Sequence, residues 1–305
     1  MRFPSLNKAK PSKEEDFVEE NDDLSTLQEP MVQSQSSTTV ATPPQDEVAK
    51  FEENMAYITK IFTSIGLPLV LRSEQTVILE DDISKEIIFL LEENERLKEI
   101  ILKSGRHISE EDAYLLRIAN FHHLIGNSKK ASDIYEYILK RNPNKMAALN
   151  NKGVVLESMD EYNKALECFD EALKMVPENI HVLTNKGISL YKNQNYQQSL
   201  ECLDAALKID PNIVNALVFK AHSLYRLGKN NEALDCYNKV IRLDHNNAEA
   251  LYNKACLCSM KGDKYGSITS LEKAIRLDAS WKKAASHDKD LERVSSHPRF
   301  IKIVK

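Results

Sequence analysis

Residues 146–179 read MAALNNKGVVLESMDEYNKALECFDEALKMVPEN, and residues 180–213 read IHVLTNKGISLYKNQNYQQSLECLDAALKIDPNI. The two segments share Asn-Lys-Gly in the first half, Glu-Cys in the second half and a proline near the end, always 34 residues apart. A fixed period of this length is typical of proteins built from stacked repeats. The same step extends in both directions and predicts five units, which are residues 112–145, 146–179, 180–213, 214–247 and 248–281.

Each unit is predicted to be a pair of helices. In the second unit, residues 147–158 and 161–175 have helix-forming compositions, and Pro177 ends the second helix because proline cannot continue the backbone hydrogen-bond ladder. Gly153 lies inside the first helix, where glycine costs about 1 kcal/mol relative to alanine. That cost is understandable if a neighbouring helix approaches closely, and Ala165 of the second helix is the expected contact.

The repeated positions resemble those of the tetratricopeptide repeat, and Asn-Lys-Gly at 151–153 and 185–187 is similar to archaeal-style members of that family. The small residue of the first helix is Ala119, Gly153, Gly187, Ala221 and Ala255. The family's alanine on the second helix is Ala131, Ala165, Ser199, Ala233 and Ser267, and the large apolar residue four places later is Tyr135, Phe169, Leu203, Tyr237 and Leu271. The resemblance covers about 170 of 305 residues and implies an all-α, right-handed superhelical solenoid of five helix pairs.

The segments outside the repeats have different compositions. Residues 1–46 hold five of the ten prolines and few large apolar side chains, too few to offset about 1–2 kcal/mol of ordering entropy per residue. This predicts a disordered acidic tail rich in Ser, Thr, Pro and Gln. Residues 47–105 are predicted to form a helical segment, and residues 282–305 resemble the polar helices that close repeat arrays, since the last unit would otherwise expose its core face.

The helix predicted at 82–104 is compatible with two roles. Its stripe steps by four and three residues, at Ile83, Ile87, Leu90, Asn94, Leu97 and Ile101. That spacing is typical of a coiled coil, in which Asn94 would fix the register of a homodimer. Ile88 and Leu91 widen the stripe, which favours docking on the first repeat instead. Both roles stay open.

The charge distribution gives no reason to expect nucleic-acid or membrane binding. Residues 1–50 carry 5 Lys and Arg against 10 Asp and Glu, which equals the net charge of −5 of the whole chain, so the remainder is neutral. Nucleic acid requires a basic surface. The longest wholly apolar run, Ile87–Leu91, is far shorter than the ~20 residues that span a bilayer. The start of the chain lacks the apolar core of a secretory signal, and five cysteines are an odd number, which together indicate a cytoplasmic protein.

The resemblance implies a concave groove lined by the first helix of each pair. One face of that helix carries the second, fifth, ninth and twelfth residues of each unit, and a row of asparagines lies at the sixth position. The candidate peptide-binding residues are Asn150, Asn151, Asn185, Tyr191, Phe219, His222, Tyr225, Tyr252 and Asn253. A side-chain amide both donates to and accepts from a peptide main chain. The asparagine row resembles the peptide-binding asparagine ladder of O-linked N-acetylglucosamine transferases. The alternative is that these asparagines belong to the repeat consensus and have no binding role.

Two further rows repeat with the same period. Lys152, Lys186, Lys220 and Lys254 are expected either to lay their stems along the apolar seam with their ammonium groups in water or to form a basic stripe for an acidic partner. Cys168, Cys202 and Cys236 are expected to be packing thiols, because stacked helices about 8–10 Å apart do not suit disulfide geometry.

The sequence contains no recognisable catalytic, cofactor-binding or metal-binding motif. It has no glycine-rich phosphate loop and no nucleophile elbow, and the adjacent His122 and His123 are expected to point apart. We therefore expect a non-catalytic scaffold or adaptor that binds a protein or peptide segment in the groove. Two other functions stay open: a regulatory or oligomerising subunit acting through the helix at 82–104, and an enzyme whose site the sequence does not reveal.

Overall fold

The computed structural model describes residues 45–67, 71, 81–103 and 112–305, and every regular element within those ranges is a helix. The prediction of an all-α protein is therefore confirmed. Most of the predicted disordered tail, residues 1–44, lies outside the described residues, as does most of the connector between the first two helices.

Ten helices form the repeat array, two in each predicted unit. They are α3 (Asp112–Leu124) with α4 (Ser128–Arg141), α5 (Met146–Ser158) with α6 (Tyr162–Met175), α7 (Ile180–Lys192) with α8 (Tyr196–Ile209), α9 (Val214–Arg226) with α10 (Asn230–Leu243), and α11 (Ala248–Met260) with α12 (Lys264–Leu277). The helices of each pair pack on each other, and each second helix packs on the first helix of the next pair. Stacking therefore builds one continuous solenoid core.

The glycine in the first helix is required by a large side chain of the second helix. A Cβ atom added at Gly153 would lie 2.5 Å from Cε1 of Phe169, and one added at Gly187 would lie 2.6 Å from Cγ of Leu203. Ala165, the predicted contact, is fully buried, and its counterpart Ser199 places its backbone oxygen 3.4 Å from the Cβ atom added at Gly187. The large side chain comes closest because helical side chains tilt towards the helix N-terminus, so the ring of Phe169 reaches back over the turn that carries Ala165.

The turn inside each unit has one residue in the left-handed region of the backbone. These residues are 34 apart, and they are Gly126, Asp160, Gln194, Gly228 and Gly262, with φ between 62° and 89°. Glycine adopts this conformation without strain, whereas a residue with a Cβ atom costs roughly 1–2 kcal/mol. The turn thus explains why three of the five units place glycine there.

Among the residues described before position 112, two helices pack against the first repeat. Helix α1 (Gln45–Ser64) packs along α2 (Asp81–Lys103), and α1 also contacts α3. The apolar cluster that joins the three helices contains Ile58, Phe62, Leu67, Ile87, Leu91, Tyr114, Ile118 and Phe121. The rings of Phe62 and Phe121 lie 5.8 Å apart between centroids, within the range of favourable aromatic packing.

Asn94, predicted as a candidate for a dimer seam, faces a residue of its own chain. Its side chain is 4% exposed, and its Nδ2 donates a hydrogen bond of 3.3 Å to the hydroxyl oxygen of Tyr114 on α3. The neighbouring Glu93 pairs with Lys50 of α1 at 2.5 Å. Helix α2 is therefore docked on the repeat array, as the second of the two sequence interpretations proposed. Homodimerisation through 82–104 stays a prediction.

The array ends in a cap that is less polar than the sequence suggested. It consists of α13 (Trp281–Ala285), a 3-10 helix (Lys289–Val294) and α14 (Pro298–Val304). Leu291, Val294 and Phe300 are buried in one cluster with Tyr252 and Ala255 of α11. The cap thus covers the core face that the fifth repeat would otherwise expose, which confirms the predicted capping helices.

Ile87→Ala should lower the free energy of unfolding by about 2–5 kcal/mol, because it removes fully buried methyl groups and leaves a cavity. Phe89→Ala is the matched control on the same helix. Phe89 is 65% exposed, so its truncation should change the unfolding free energy by no more than about 0.5 kcal/mol. Chemical denaturation of the full chain measures both values. Equal costs for the two variants would contradict the docked position of α2.

Candidate functional site

Four buried asparagines form a continuous hydrogen-bonded chain across the first three repeats. Asn185 donates from Nδ2 to Oδ1 of Asn150 at 2.9 Å, and Asn150 donates to Oδ1 of Asn151 at 3.1 Å. Asn151 in turn donates to Oδ1 of Asn120 at 3.0 Å. We call Asn150, Asn151 and Asn185 the amide cluster. Sequence reasoning identified all three as candidates and also placed Asn120 on the groove face.

The chain of amides ends on a tyrosine of the second helix. The hydroxyl group of Tyr135, on α4, donates to the same Oδ1 atom of Asn120. Burial raises the pKa of Tyr135 well above its usual value, so this hydroxyl keeps its proton and acts as a donor. Because each amide is held by its neighbours, the direction in which the amide cluster points its donors is set by the whole network.

The amide cluster binds the main chain of Leu71, which belongs to the connector between α1 and α2. The backbone N–H of Leu71 donates to Oδ1 of Asn151 at 2.7 Å. Its carbonyl oxygen accepts from Nδ2 of Asn150 at 2.9 Å and from Nδ2 of Asn185 at 3.1 Å. Sequence reasoning did not place this residue in the groove, since Leu71 lies 80 residues before Asn151.

The next three candidate residues form an aromatic cluster in the third and fourth repeats. The ring of Tyr191 lies 5.5 Å from that of Phe219 and 5.6 Å from that of His222, and Phe219 and His222 are 5.3 Å apart. Two of these pairs are edge-to-face, the arrangement that the charge distribution of aromatic rings favours. Burial raises the pKa of Tyr191 to about 12, so its hydroxyl is neutral near pH 7.

Asn253 lies in the same sequence row as Asn151 and Asn185 but has a different partner. Its Nδ2 is 3.2 Å from Nε2 of His222, and Nε2 of His222 is also 3.2 Å from Oε1 of Glu249. The fourth repeat carries Phe219 at the row position, so Asn253 is separated from the amide cluster. The asparagine row is therefore two local arrangements rather than one continuous ladder.

Tyr225 and Tyr252, the remaining candidates, are bonded to the C-terminal cap. Tyr225 donates to Oδ2 of Asp290 at 2.8 Å, and Tyr252 donates to Oδ2 of Asp288 at 2.8 Å. The ring of Tyr252 is stacked on Trp281 with 4.3 Å between centroids. These two tyrosines were predicted to face a peptide, and in the structure their hydroxyl groups hold the start of the 3-10 helix in the groove. The cap segment was too far along the sequence for the repeat pattern to reveal this contact.

Cys256, Asp288 and Asp290 form a group whose ligand-type atoms lie within 4.8 Å of one another. It is the one group of this kind among the residues that the structure describes. Each carboxylate already accepts a tyrosine hydroxyl hydrogen, and the backbone N–H of Asp290 donates to Asp288 at 2.9 Å. Burial raises the pKa of the Cys256 thiol, whereas metal binding needs the thiolate. The group thus acts as a hydrogen-bonded joint between the cap and the last two repeats.

Three of the four repeated lysines are paired with acidic residues of the preceding repeat. The pairs are Lys152 with Glu136 at 3.6 Å, Lys186 with Asp170 at 2.5 Å and Lys220 with Asp204 at 2.5 Å. The next acidic position is occupied by Asn238, opposite Lys254. Exposed pairs of this kind contribute at most about 1 kcal/mol each. Neither sequence interpretation anticipated the pairing, because the partner row changes identity along the array, from Glu136 to Asp170 and Asp204 and then to Asn238.

The repeated cysteines are free thiols, as expected. Cys168, Cys202 and Cys236 are half-buried and unpaired, and Cys256 and Cys258 are buried and unpaired. Burial raises the pKa of all five thiols, which keeps them protonated and unreactive near neutral pH.

Comparison with known families agrees with the repeat geometry. A model described as the tetratricopeptide repeat protein 21 N-terminal ARM repeat matches residues 92–234, a TPR repeat model matches residues 221–257, and a tetratricopeptide repeat model matches residues 248–280. The chain is a tetratricopeptide repeat protein. No curated protein matches it in sequence. No helix in the described ranges meets the length and hydropathy needed to cross a bilayer.

Solved structures share the fold of this tetratricopeptide repeat protein at low sequence identity. PilF of Pseudomonas aeruginosa is 14% identical, with a TM-score of 0.57, over 83% of this chain and 99% of that one. MamA from Desulfovibrio magneticus RS-1, from residue 41 to the end, is 18% identical, with a TM-score of 0.52, over 57% of this chain and 98% of that one. Because these sequence identities are low, the similarities show only the shared fold. The kind of partner has to be inferred from the site itself.

His122, buried in the first repeat beside the groove, makes the stability of the array depend on pH. Burial lowers the pKa of His122 from 6.5 to about 4, and Lys130 acts in the same direction. The unfolded chain therefore takes up this proton first. The contribution of His122 to stability is constant above about pH 6.5 and falls as the pH drops from 6.5 towards 4, by at most about 3 kcal/mol, because solvent screening reduces the effect of a partly buried group.

Acidification from about pH 7 to pH 4 should therefore destabilise His122→Leu less than it destabilises the natural chain, by up to about 3 kcal/mol. Urea denaturation at several pH values measures the difference. His245→Leu, at an exposed position, is the matched control and should follow the natural chain. If His122→Leu also followed it, the buried neutral histidine would not be the cause.

Proposed function

We propose that this tetratricopeptide repeat protein is a non-catalytic adaptor that binds an extended segment of a protein partner in the concave groove of its repeats. The observation that carries the proposal is the way the amide cluster holds Leu71. Two amides donate to one carbonyl oxygen while a third accepts the N–H of the same residue. These bonds recognise a peptide main chain without reading a side chain, which is what a groove for extended segments requires.

The aromatic cluster of Tyr191, Phe219 and His222 supports the same proposal. It adjoins the amide cluster along the array, because Tyr191 follows Asn185 on α7. Phe219 is only partly buried, so its ring is available to an incoming apolar side chain. Aromatic residues are over-represented among the side chains that dominate protein interfaces. Main-chain bonding at one end and aromatic anchoring at the other would together select an extended segment with apolar residues.

The chemistry of the groove supports a non-catalytic role. Burial raises the pKa of Tyr191 and Cys256, which keeps both side chains protonated near neutral pH and therefore poor nucleophiles. The alternative of an oligomerising subunit acting through the helix at 82–104 has less support, because Ile87, Leu91 and Leu97 are already buried inside the chain.

Asn185→Ala should weaken the binding of groove-directed peptides by about tenfold or more, because it removes a donor to the peptide carbonyl and leaves buried polar atoms without a partner. The peptides are obtained by selecting a displayed random library on the purified full chain, and their affinities are measured by fluorescence anisotropy. Thermal melting confirms that the variant is folded.

Asn212→Ala is the matched control, since Asn212 is exposed in the turn between the third and fourth repeats and lies outside the groove. It should leave peptide affinity unchanged. If the selected peptides bound Asn185→Ala as tightly as the natural chain, the groove would not be the binding site.

A further inference from the structure

The occupant of the amide cluster comes from the chain itself. Leu71 is 2% exposed and belongs to a cluster of buried apolar residues that includes Leu116 and Val154 on the groove face. Its main chain makes the three hydrogen bonds to Asn150, Asn151 and Asn185. Leu71, a residue of the connector, therefore makes the same contacts in the groove that we propose for a partner.

The contacts of Leu71 define what this site requires of an occupant. All three hydrogen bonds involve main-chain atoms of Leu71, so they would suit any residue whose backbone runs the same way. The surrounding apolar cluster selects the side chain, and it suits a branched aliphatic group of the size of leucine. An amide that stays buried without a partner is strongly unfavourable, so the site favours the entry of another peptide unit when Leu71 leaves it.

We propose that Leu71 is the resident occupant of this site, and that a protein partner binds by placing a leucine-like residue of an extended segment where Leu71 lies. This inference rests on the proposed function and adds that the groove is self-occupied. Leu71 is only four residues from Leu67, which is buried in the cluster that docks α1 and α2 on the first repeat.

Tethering gives Leu71 an advantage over any free segment. A short connection of this kind corresponds to an effective concentration in the millimolar range. A partner binds only those molecules from which Leu71 has departed, so its apparent affinity is reduced by that fraction. Any change that expels Leu71 should therefore tighten the binding of a partner without altering a single contact that the partner makes.

The test uses a fluorescent synthetic peptide, LPLVLRSEQ, which copies residues 67–75 and is titrated into the full chain. The variant Leu71→Asp expels the resident residue, because an unpaired carboxylate is not tolerated among buried apolar groups. The peptide should bind Leu71→Asp at least about tenfold more tightly than it binds the natural chain. A peptide with aspartate in place of its central leucine should bind neither protein.

Two added substitutions assign the gain to the amide cluster. Asn185→Ala in the Leu71→Asp background should abolish the tighter binding, because it removes a donor to the peptide carbonyl. Asn212→Ala in the same background is the matched control and should preserve it. Equal affinity of the peptide for the natural chain and for Leu71→Asp would overturn the resident-occupant proposal.

Hydrogen exchange on the natural chain gives a second measurement that does not depend on a Leu71 variant. The Leu71 amide donates to a buried oxygen of Asn151, so it should exchange at least about a hundredfold more slowly than in an unfolded chain. Asn151→Ala should remove this protection. Rapid exchange in the natural chain would overturn the resident-occupant proposal. The proposed function would still stand in that case if the affinity of the library peptides decreased in Asn185→Ala. Peptides that ignored Asn185 would instead overturn the proposed function.

Discussion

In the second and third repeats a glycine of the first helix lies against a large apolar side chain of the second, and this contact sets how the two helices are rotated about their axes. At Gly153 the contact is with the ring of Phe169, and at Gly187 it is with Leu203. Because the contact recurs every 34 residues, successive first helices present the same positions to the groove. Asn150 and Asn185 meet across two repeats for that reason.

The buried amides explain why the groove needs an occupant. A desolvated amide is stabilising only when its donors and acceptors are paired. Asn150 and Asn185 pair with each other and with the carbonyl of Leu71, and Asn151 accepts the N–H of the same residue. At the far end of the array, Asp288 and Asp290 of the cap accept hydrogen bonds from the hydroxyl groups of Tyr252 and Tyr225. Segments outside the repeats thus complete the polar contacts of the groove at both ends.

The repeat pattern predicted the helix pairs, their phase and the candidate groove residues, because all of these follow from periodicity. It failed wherever side-chain length or a distant segment decided the contact. The pattern did not show that the ring of Phe169, rather than Ala165, makes the closest approach to Gly153. The lysine row was not anticipated to be paired, and Tyr225 and Tyr252 were assigned to a peptide rather than to the cap.

The sequence by itself determined that the chain is an all-α tetratricopeptide solenoid with asparagines and aromatic residues on its inner helices. Only the tertiary structure decided that α2 docks on the first repeat, with Asn94 bonded to Tyr114, and that Leu71 lies among the groove amides. The physical reason is that the 34-residue period carries information only about contacts that recur between equivalent positions of neighbouring repeats. Contacts made by unrepeated segments 80 residues away depend on shape and hydrogen bonding in three dimensions, and they leave no period in the sequence.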